Sequence, residues 1–134
     1  MKLIHFDDVP LETVSIEGAK NVKLRWLISD KDNAPNFALR MFELEAGGFT
    51  PFHTHNWEHE VFVIQGTGIL VTEDGEKDFQ QWDVIYTDPN IYHQFKNSGD
   101  SMLRFLCAIP IDSYLKPQKQ STKNPLGDEP ENNC

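Results

Sequence analysis

Apolar and polar residues alternate along most of the chain in short segments, which is the pattern of half-buried β-strands. Turn residues, such as Asp-Gly at 74–75 and Asp-Pro-Asn at 88–90, separate these segments. The alternation predicts strands over residues 22–29, 37–44, 49–55, 60–65, 68–72, 76–80, 83–87, 92–96 and 101–109, with a glycine pair at 47–48 ending the second strand. Many short strands at even spacing favour an all-β sandwich or jelly roll.

A chain of 134 residues is long enough for one domain with its own core. We assign this domain to residues 1–112, with N-terminal strands in residues 1–30 and a barrel core over about residues 35–110. From residue 113 the composition changes to Lys, Pro, Gln, Ser, Asn and acidic residues, which provide little apolar surface for packing. We expect residues 113–134 to form a polar, flexible C-terminal tail or a strap over the surface.

The charge balance excludes two classes of partner. Lys and Arg total 12 and Asp and Glu total 21, so the net charge at pH 7 is −9. An acidic chain lacks the basic surface that binds nucleic acids or anionic membranes. No apolar run approaches the roughly 20 residues of a membrane span, and the acidic N-terminal residues do not resemble a signal peptide. With two cysteines and no disulfide framework, we expect a cytoplasmic protein.

Three of the five histidines lie close together, at His53, His55 and His59. Residues two apart in a strand point to the same face, so His53 and His55 project side by side. His59 has the same parity and joins them if the strand bends between them. Neutral imidazole is the commonest protein ligand for divalent transition metals. The spacing therefore predicts a metal site.

Two segments around these histidines resemble the motifs of the cupin family. The first, Gly47-x5-His53-x-His55-x3-His59-x6-Gly66, is similar to the first cupin motif, in which Glu is usual at the third ligand position. The second segment is a weaker match, with Trp82, Asp88 and Asn90 in place of Gly, Pro and Gly. Its histidine and asparagine fall at the motif positions, as His93 and Asn97.

The resemblance, which covers roughly residues 35–110, extends to the small cupins that bind manganese through four histidines. It implies a cupin-type double-stranded β-helix, that is, a jelly-roll barrel. It also implies a homodimer and one divalent transition metal, held by His53, His55, His59 and His93. Mn(II) is the metal that the resemblance favours, with Fe(II), Zn(II), Ni(II) and Cu(II) as alternatives. In a tetrahedral site, four histidines would close the shell of a structural zinc ion.

The third ligand has an alternative, because Glu60 follows His59 directly. We prefer His59 for its spacing to Gly66 and for the strand parity that it shares with Val61 and Val63. Four neutral ligands leave the full dipositive charge on the metal, whereas a carboxylate would reduce it to about one. Such a site favours an anionic ligand such as a carboxylate, enolate or peroxide.

Four further residues are candidates for the catalytic pocket. Arg40 lies in an apolar strand and could hold a carboxylate through its guanidinium fork. Tyr92 precedes a ligand and is expected to pack beside the site, as is Trp57. Phe105 and Cys107 share one face of the last strand, which should look into the barrel, although buried cysteines are also common in cores.

Three functions fit these features. We favour a metal-dependent oxidoreductase, dioxygenase-like, acting on a small anionic organic molecule. A redox-neutral isomerase, lyase or decarboxylase would need a general acid or base, for which the chain offers Glu43, Glu60 and Tyr92. A non-catalytic ligand-binding cupin is the third possibility. We also expect residues 1–29 to contribute to a homodimer interface, because an N-terminal edge strand carrying Trp26 invites pairing with another chain.

Overall fold

The computed structural model describes residues 1–116 and 120–122, and the side chains of residues 1–116. The fold is mostly β, as the alternation predicted. Within the described residues a single curled antiparallel sheet contains eleven strands. They are β1 Glu12–Thr13, β2 Lys20–Ile28, β3 Phe37–Phe49, β4 His53–His55, β5 His59–Gln65, β6 Thr67–Thr72, β7 Gly75–Gln80, β8 Val84–Thr87, β9 His93–Asn97, β10 Leu103–Pro110 and β11 Gln120–Thr122.

The sheet curls so that its strands form two groups. In one group β3 pairs with β2 and β10, β10 pairs with β5, and β5 pairs with β8. In the other group β9 pairs with β4 and β6, while β11 pairs with β4 and β7 pairs with β6. Strand β3 joins the two groups, since its last residue, Phe49, pairs with Lys96 of β9. The result is a half-barrel with the predicted jelly-roll character.

The glycine pair bends β3 instead of ending it, so the predicted strand end at 47–48 is wrong. Gly47 has φ +79°, and Gly48 leaves no room for a side chain. A Cβ atom on Gly48 would lie 2.8 Å from the carbonyl oxygen of Asn21 and 2.9 Å from that of Lys20. Because glycine tolerates both conditions, β3 continues alongside β2 to Phe49.

The core lies between the two groups of strands. Every second residue of β10 is buried, namely Leu103, Phe105, Cys107 and Ile109. Strand β2 contributes Val22 and Leu24, each 1% exposed, as its alternation predicted. Arg25 on the opposite face of β2 is also buried, because its guanidinium donates to Glu43 at 2.9 Å and to the carbonyl of Val9 at 2.7 Å.

The described chain continues past residue 112, the predicted domain boundary. A short helix, α1 Asp112–Leu115, follows β10, and its Ser113 is buried. Tyr114 packs against Trp26 with ring centroids 4.8 Å apart and donates to Asp30 at 2.9 Å. Further along, β11 pairs with β4, beside the histidines. The other residues of the predicted tail, 117–119 and 123–134, lie outside the described residues. Among the residues that are described, no helix has the length and apolarity to cross a membrane.

Candidate metal centre

Four histidines from three strands converge inside the half-barrel. His53 and His55 occupy both ends of β4, and their shared face is the inner one. His93 begins β9 and stands opposite His53 across the β4–β9 pair. His59 begins β5, where its backbone N–H donates to the Thr87 hydroxyl of β8 at 3.2 Å. All four side chains are buried, with exposed fractions of 1–2%.

The distances within this cluster fit one metal ion. One ligand atom from each histidine lies within 4.8 Å of the other three. Ligands on opposite sides of an ion, at bond lengths of about 2.1 Å, stand about 4.2 Å apart, and adjacent octahedral ligands about 3.0 Å apart. His55 Nε2 and His59 Nε2 are 2.8 Å apart, close to the adjacent separation. The donor set therefore fits a divalent transition metal.

Hydrogen bonds to the outer ring nitrogens orient two of the imidazoles. The Nδ1–H of His55 donates to the Trp57 carbonyl at 2.8 Å, and the Nδ1–H of His93 donates to the Ile91 carbonyl at 2.9 Å. Since a carbonyl only accepts, these bonds leave each Nε2 with its lone pair available for a metal. Nε2 of His93 is buried and has no hydrogen-bond partner among the described residues. A buried acceptor without a hydrogen-bond partner fits the role of a metal-binding nitrogen.

The cluster favours neutral histidines. Burial lowers the pKa of His59 well below its usual value, and the charges of the neighbouring histidines and of Arg40 lower it further. Burial also lowers the pKa of His93, although its bond to the Ile91 carbonyl acts in the opposite direction. Because only a neutral imidazole has a lone pair for a metal, these shifts favour the metal-binding form of His59 and His93 at pH values where a free histidine would be partly protonated.

His59, and not Glu60, is the fourth member of the histidine cluster. Its side chain is 2% exposed and joins the other three histidines. Glu60, the alternative, is exposed on the outer face of β5, where it pairs across the strands with Tyr86. Strand parity explains the difference, since β5 alternates buried and exposed residues from His59 to Val63.

The predicted pocket residues fall into two groups. Phe105 and Cys107 line a small cavity of about 10 Å³ beside His53, His59 and His93. Arg40 and Tyr92 do not line it. Arg40 is 0% exposed and lies behind Cys107, to which its Nη2 donates at 3.2 Å. Tyr92 is half-buried and stacks on Phe52, with ring centroids 5.4 Å apart.

Three cavity residues were not predicted: Phe42, Thr50 and Phe95. Phe95 lies two residues after His93 and shares its face, so parity could have identified it. Phe42 shares a face with Arg40, and its ring stacks on Phe105 with centroids 5.2 Å apart. No sequence signal marks Thr50, whose hydroxyl accepts the backbone N–H of Phe95 at 2.9 Å.

Trp57 packs beside the site as predicted. Its indole lies parallel to the His55 ring, at 8° and with a centroid separation of 3.9 Å. Burial raises the pKa of the Cys107 thiol, and the neighbouring Arg40 partly opposes this rise. The centre thus combines four buried histidine side chains with an apolar, aromatic wall.

Comparisons with known proteins agree with this fold and site. The polyketide cyclase RemF from Streptomyces resistomycificus has a similar structure, with a TM-score of 0.82 and 32% identity, covering 97% of this chain and 89% of that one. A predicted oxalate decarboxylase from Thermotoga maritima shares the fold, with a TM-score of 0.72 and 23% identity over 81% of this chain and 98% of that one.

A curated relative is the 1-methylthio-D-xylulose 5-phosphate methylsulfurylase of Rhodospirillum rubrum, which is 29% identical over 80 residues. These residues make up 60% of this chain, which spans about half (51%) of the relative's length. The family model of the cupin domain matches residues 40–109, which include all four histidines and most of the barrel. The chain belongs to the cupin family.

Proposed function

We propose that this cupin is a mononuclear metal-dependent enzyme acting on a small anionic or readily enolised carbonyl compound. The supporting observation is the cluster of four buried histidines, which includes no carboxylate. A divalent ion held by four neutral ligands keeps its full charge and supplies Lewis acidity towards a substrate oxygen. The buried guanidinium of Arg40 adds positive charge behind the cluster. Both features favour an anionic substrate over a neutral one.

Among the residues that the structure describes, no carboxylate or tyrosine lines the cavity, and this narrows the class of substrate. Of the general bases considered, Glu43 accepts from Arg25 at 2.9 Å outside the cavity, and Glu60 is exposed. Tyr92 stacks on Phe52 and does not line the cavity. A substrate that ionises without a strong base therefore suits this site best, and 1,3-dicarbonyl compounds have that property.

We propose a redox-neutral cyclisation or isomerisation of such a compound as the first candidate activity. Its support is the similarity to a polyketide cyclase that covers nearly the whole chain at 32% identity. The phenyl rings of Phe42, Phe95 and Phe105 would exclude water from the metal, while the backbone carbonyls of Trp57 and Ile91 would keep His55 and His93 oriented.

The dioxygenase-like activity expected from the sequence is the second candidate. One observation favours it: the cavity beside the histidines is apolar and has a volume of about 10 Å³. A space of that size holds about one water-sized molecule, so it suits O₂ better than a molecule of several carbons. In this reaction the organic substrate would approach from the rim of the half-barrel.

Metal analysis followed by a two-atmosphere assay separates these activities. Protein loaded with Zn(II), Mn(II) or Fe(II) would be incubated with heptane-2,4,6-trione in argon and in air. Consumption in argon supports the redox-neutral activity, whereas consumption with stoichiometric O₂ uptake supports the dioxygenase. Replacing His93 with Ala should abolish either activity, while the matched control His5→Ala, at an exposed histidine, should not. Failure of every metal to bind would refute the proposal.

We also propose that the protein is a homodimer, with residues 1–29 at the interface. Strand β1 pairs with Lys23 and Leu24 at the outer edge of β2, and the Val14 N–H donates to the Val22 carbonyl at 3.0 Å. Beyond Leu24, no strand among the described residues pairs with this edge, which leaves it available to a second chain. Light scattering should give about twice the chain mass of 15.4 kDa. A monomer mass at micromolar concentration would contradict this.

A further inference from the structure

Arg40 is a charged side chain inside the apolar half-barrel. Arg40 is 0% exposed. Among the described residues, no Asp or Glu carboxylate lies within ion-pair distance of its guanidinium. The guanidinium lies over the rings of Phe42 and Trp26, at 4.9 and 5.5 Å from their centroids. Its Nε and Nη1 are buried without a hydrogen-bond partner in the described part of the chain. Burying such a charge is costly, so Arg40 calls for a functional explanation.

The remaining nitrogen of Arg40 begins a chain of contacts that ends at the metal site. Nη2 donates to the sulfur of Cys107, which lies opposite Arg40 in the β3–β10 pair, at 3.2 Å. The same sulfur is hydrogen-bonded to Nδ1 of His59 at 3.0 Å. Arg40 and His59 are thus connected through one buried sulfur atom.

The partner of the Nδ1 atom distinguishes His59 from His55 and His93. His55 and His93 are oriented by backbone carbonyls, which no side-chain substitution removes directly. The Nδ1 atom of His59 is instead hydrogen-bonded to a side chain, that of Cys107. Groups that contact the outer nitrogen of a ligating histidine set its ring orientation and commonly change metal affinity by ten- to a hundredfold.

We propose that Cys107 and Arg40 are positioning residues that hold the His59 ring with Nε2 facing the other three histidines, with Arg40 acting through Cys107. The inference deepens the proposed function, because it rests on these histidines binding a metal. Cys107 serves here as a hydrogen-bonding group, and no covalent chemistry of its sulfur is involved.

The alternative is that Cys107 only fills space in the core, as buried cysteines commonly do. Two substitutions separate these roles. Cys107→Val keeps an apolar side chain of similar size but removes the hydrogen bonds to His59 and Arg40. Cys107→Ser keeps a hydrogen-bonding group at the same position. A space-filling role predicts that Val is the better replacement, whereas a positioning role predicts that Ser is.

The test is cobalt(II) binding, measured by calorimetry and by the visible absorption spectrum of the bound ion. Cys107→Val should weaken binding ten- to a hundredfold and alter the spectrum, because one ligand is no longer held in place. Cys107→Ser should stay within a few-fold of the wild type. Ile109→Val, on the same face of β10, is the matched control for a small loss of core volume and should retain the wild-type affinity and spectrum.

Arg40→Met extends the test, since methionine keeps an apolar stem without the donor. It should weaken cobalt binding in the wild-type background but add little to Cys107→Val, because Arg40 acts through the sulfur. If Arg40→Met does not fold, the comparison of the Val and Ser variants decides alone. Cobalt affinity in Cys107→Val equal to that of the wild type would overturn the inference and leave the metal site standing. A wild-type protein without cobalt affinity would overturn the proposed function as well.

Discussion

Acidification should destabilise the metal-free protein below pH 6.5, because two of its buried histidines, His59 and His93, resist protonation. The pKa values of His59 and His93 are lowered in the fold, chiefly by burial. In the unfolded chain the same groups titrate near pH 6.5. Below that pH the unfolded state therefore binds more protons than the folded state, and the free energy of unfolding falls as the pH falls. The loss continues until the pH reaches the lowered pKa values of the folded protein.

The size of this effect has an upper limit set by proton uptake. One proton per histidine changes the free energy of unfolding by at most about 1.4 kcal/mol per pH unit. For His59 and His93 together, the loss at pH 5.5 is at most about 3 kcal/mol relative to neutral pH. Against a typical domain stability of 5–15 kcal/mol, a loss of this size is easily measured.

Urea denaturation of chelator-treated protein at several pH values between 5 and 8 measures this slope. His59→Gln removes one buried titrating group and should reduce the slope by up to one proton. The matched control His5→Gln removes an exposed histidine, which has a side-chain exposure of 67%, and should leave the slope unchanged. A free energy of unfolding that is constant from pH 7.5 to 5.5 in the metal-free wild type would refute the reasoning.

Three other perturbations give measurable outcomes. Chelation of metal-loaded protein should lower the melting temperature by several degrees, since a free metal concentration a thousandfold above its dissociation constant stabilises by about 4 kcal/mol; an unchanged melting curve would count against the site. Gly48→Ala should destabilise strongly, because its Cβ would meet three backbone oxygens at 2.8–2.9 Å, whereas Gly75→Ala has space around its Cβ but keeps a positive φ. Equal urea midpoints for the two variants would contradict that account. Glu43→Leu should cost up to about 3–5 kcal/mol, because Arg25 loses the buried carboxylate at 2.9 Å and keeps only the exposed one of Asp7 at 3.7 Å. Arg25→Met in the same chain should restore part of the loss, since Arg104 also loses its contact with Glu43; the absence of any recovery would show that the pair is not coupled.

The ligands could be predicted from sequence because their arrangement is mostly local. His53 and His55 are two apart in one strand, so any strand at this position places them on one face. His59 follows by the same parity in the next strand. His93 is different, since the β4–β9 pairing that brings it opposite His53 joins residues 40 positions apart. Its placement came from the similarity to a known motif and not from periodicity.

The local sequence around Gly47 and Gly48 does not determine whether the strand ends or bends there. Two adjacent glycines weaken any strand, and they are equally compatible with a turn and with a bend. What decides between them is the close approach of the Lys20 and Asn21 carbonyls to Gly48. Those oxygens belong to β2, nearly thirty residues earlier in the chain. Their position cannot be predicted from residues 47–48 alone. The β3 bend that carries the chain from one group of strands to the other was therefore not predictable.

The contacts of Arg40 near the site were also not predictable from the sequence. Its parity with Phe42 and Leu44 places it on the inner face of β3, but parity does not reveal what a buried guanidinium contacts. That depends on the β3–β10 register, which sets Cys107 opposite Arg40. A slip of one residue would bring Leu106 or Ala108 opposite Arg40, and neither side chain can accept a hydrogen bond. The connection between Arg40 and His59 thus depends on sheet register, so a sequence could identify each residue as a candidate without identifying their joint action.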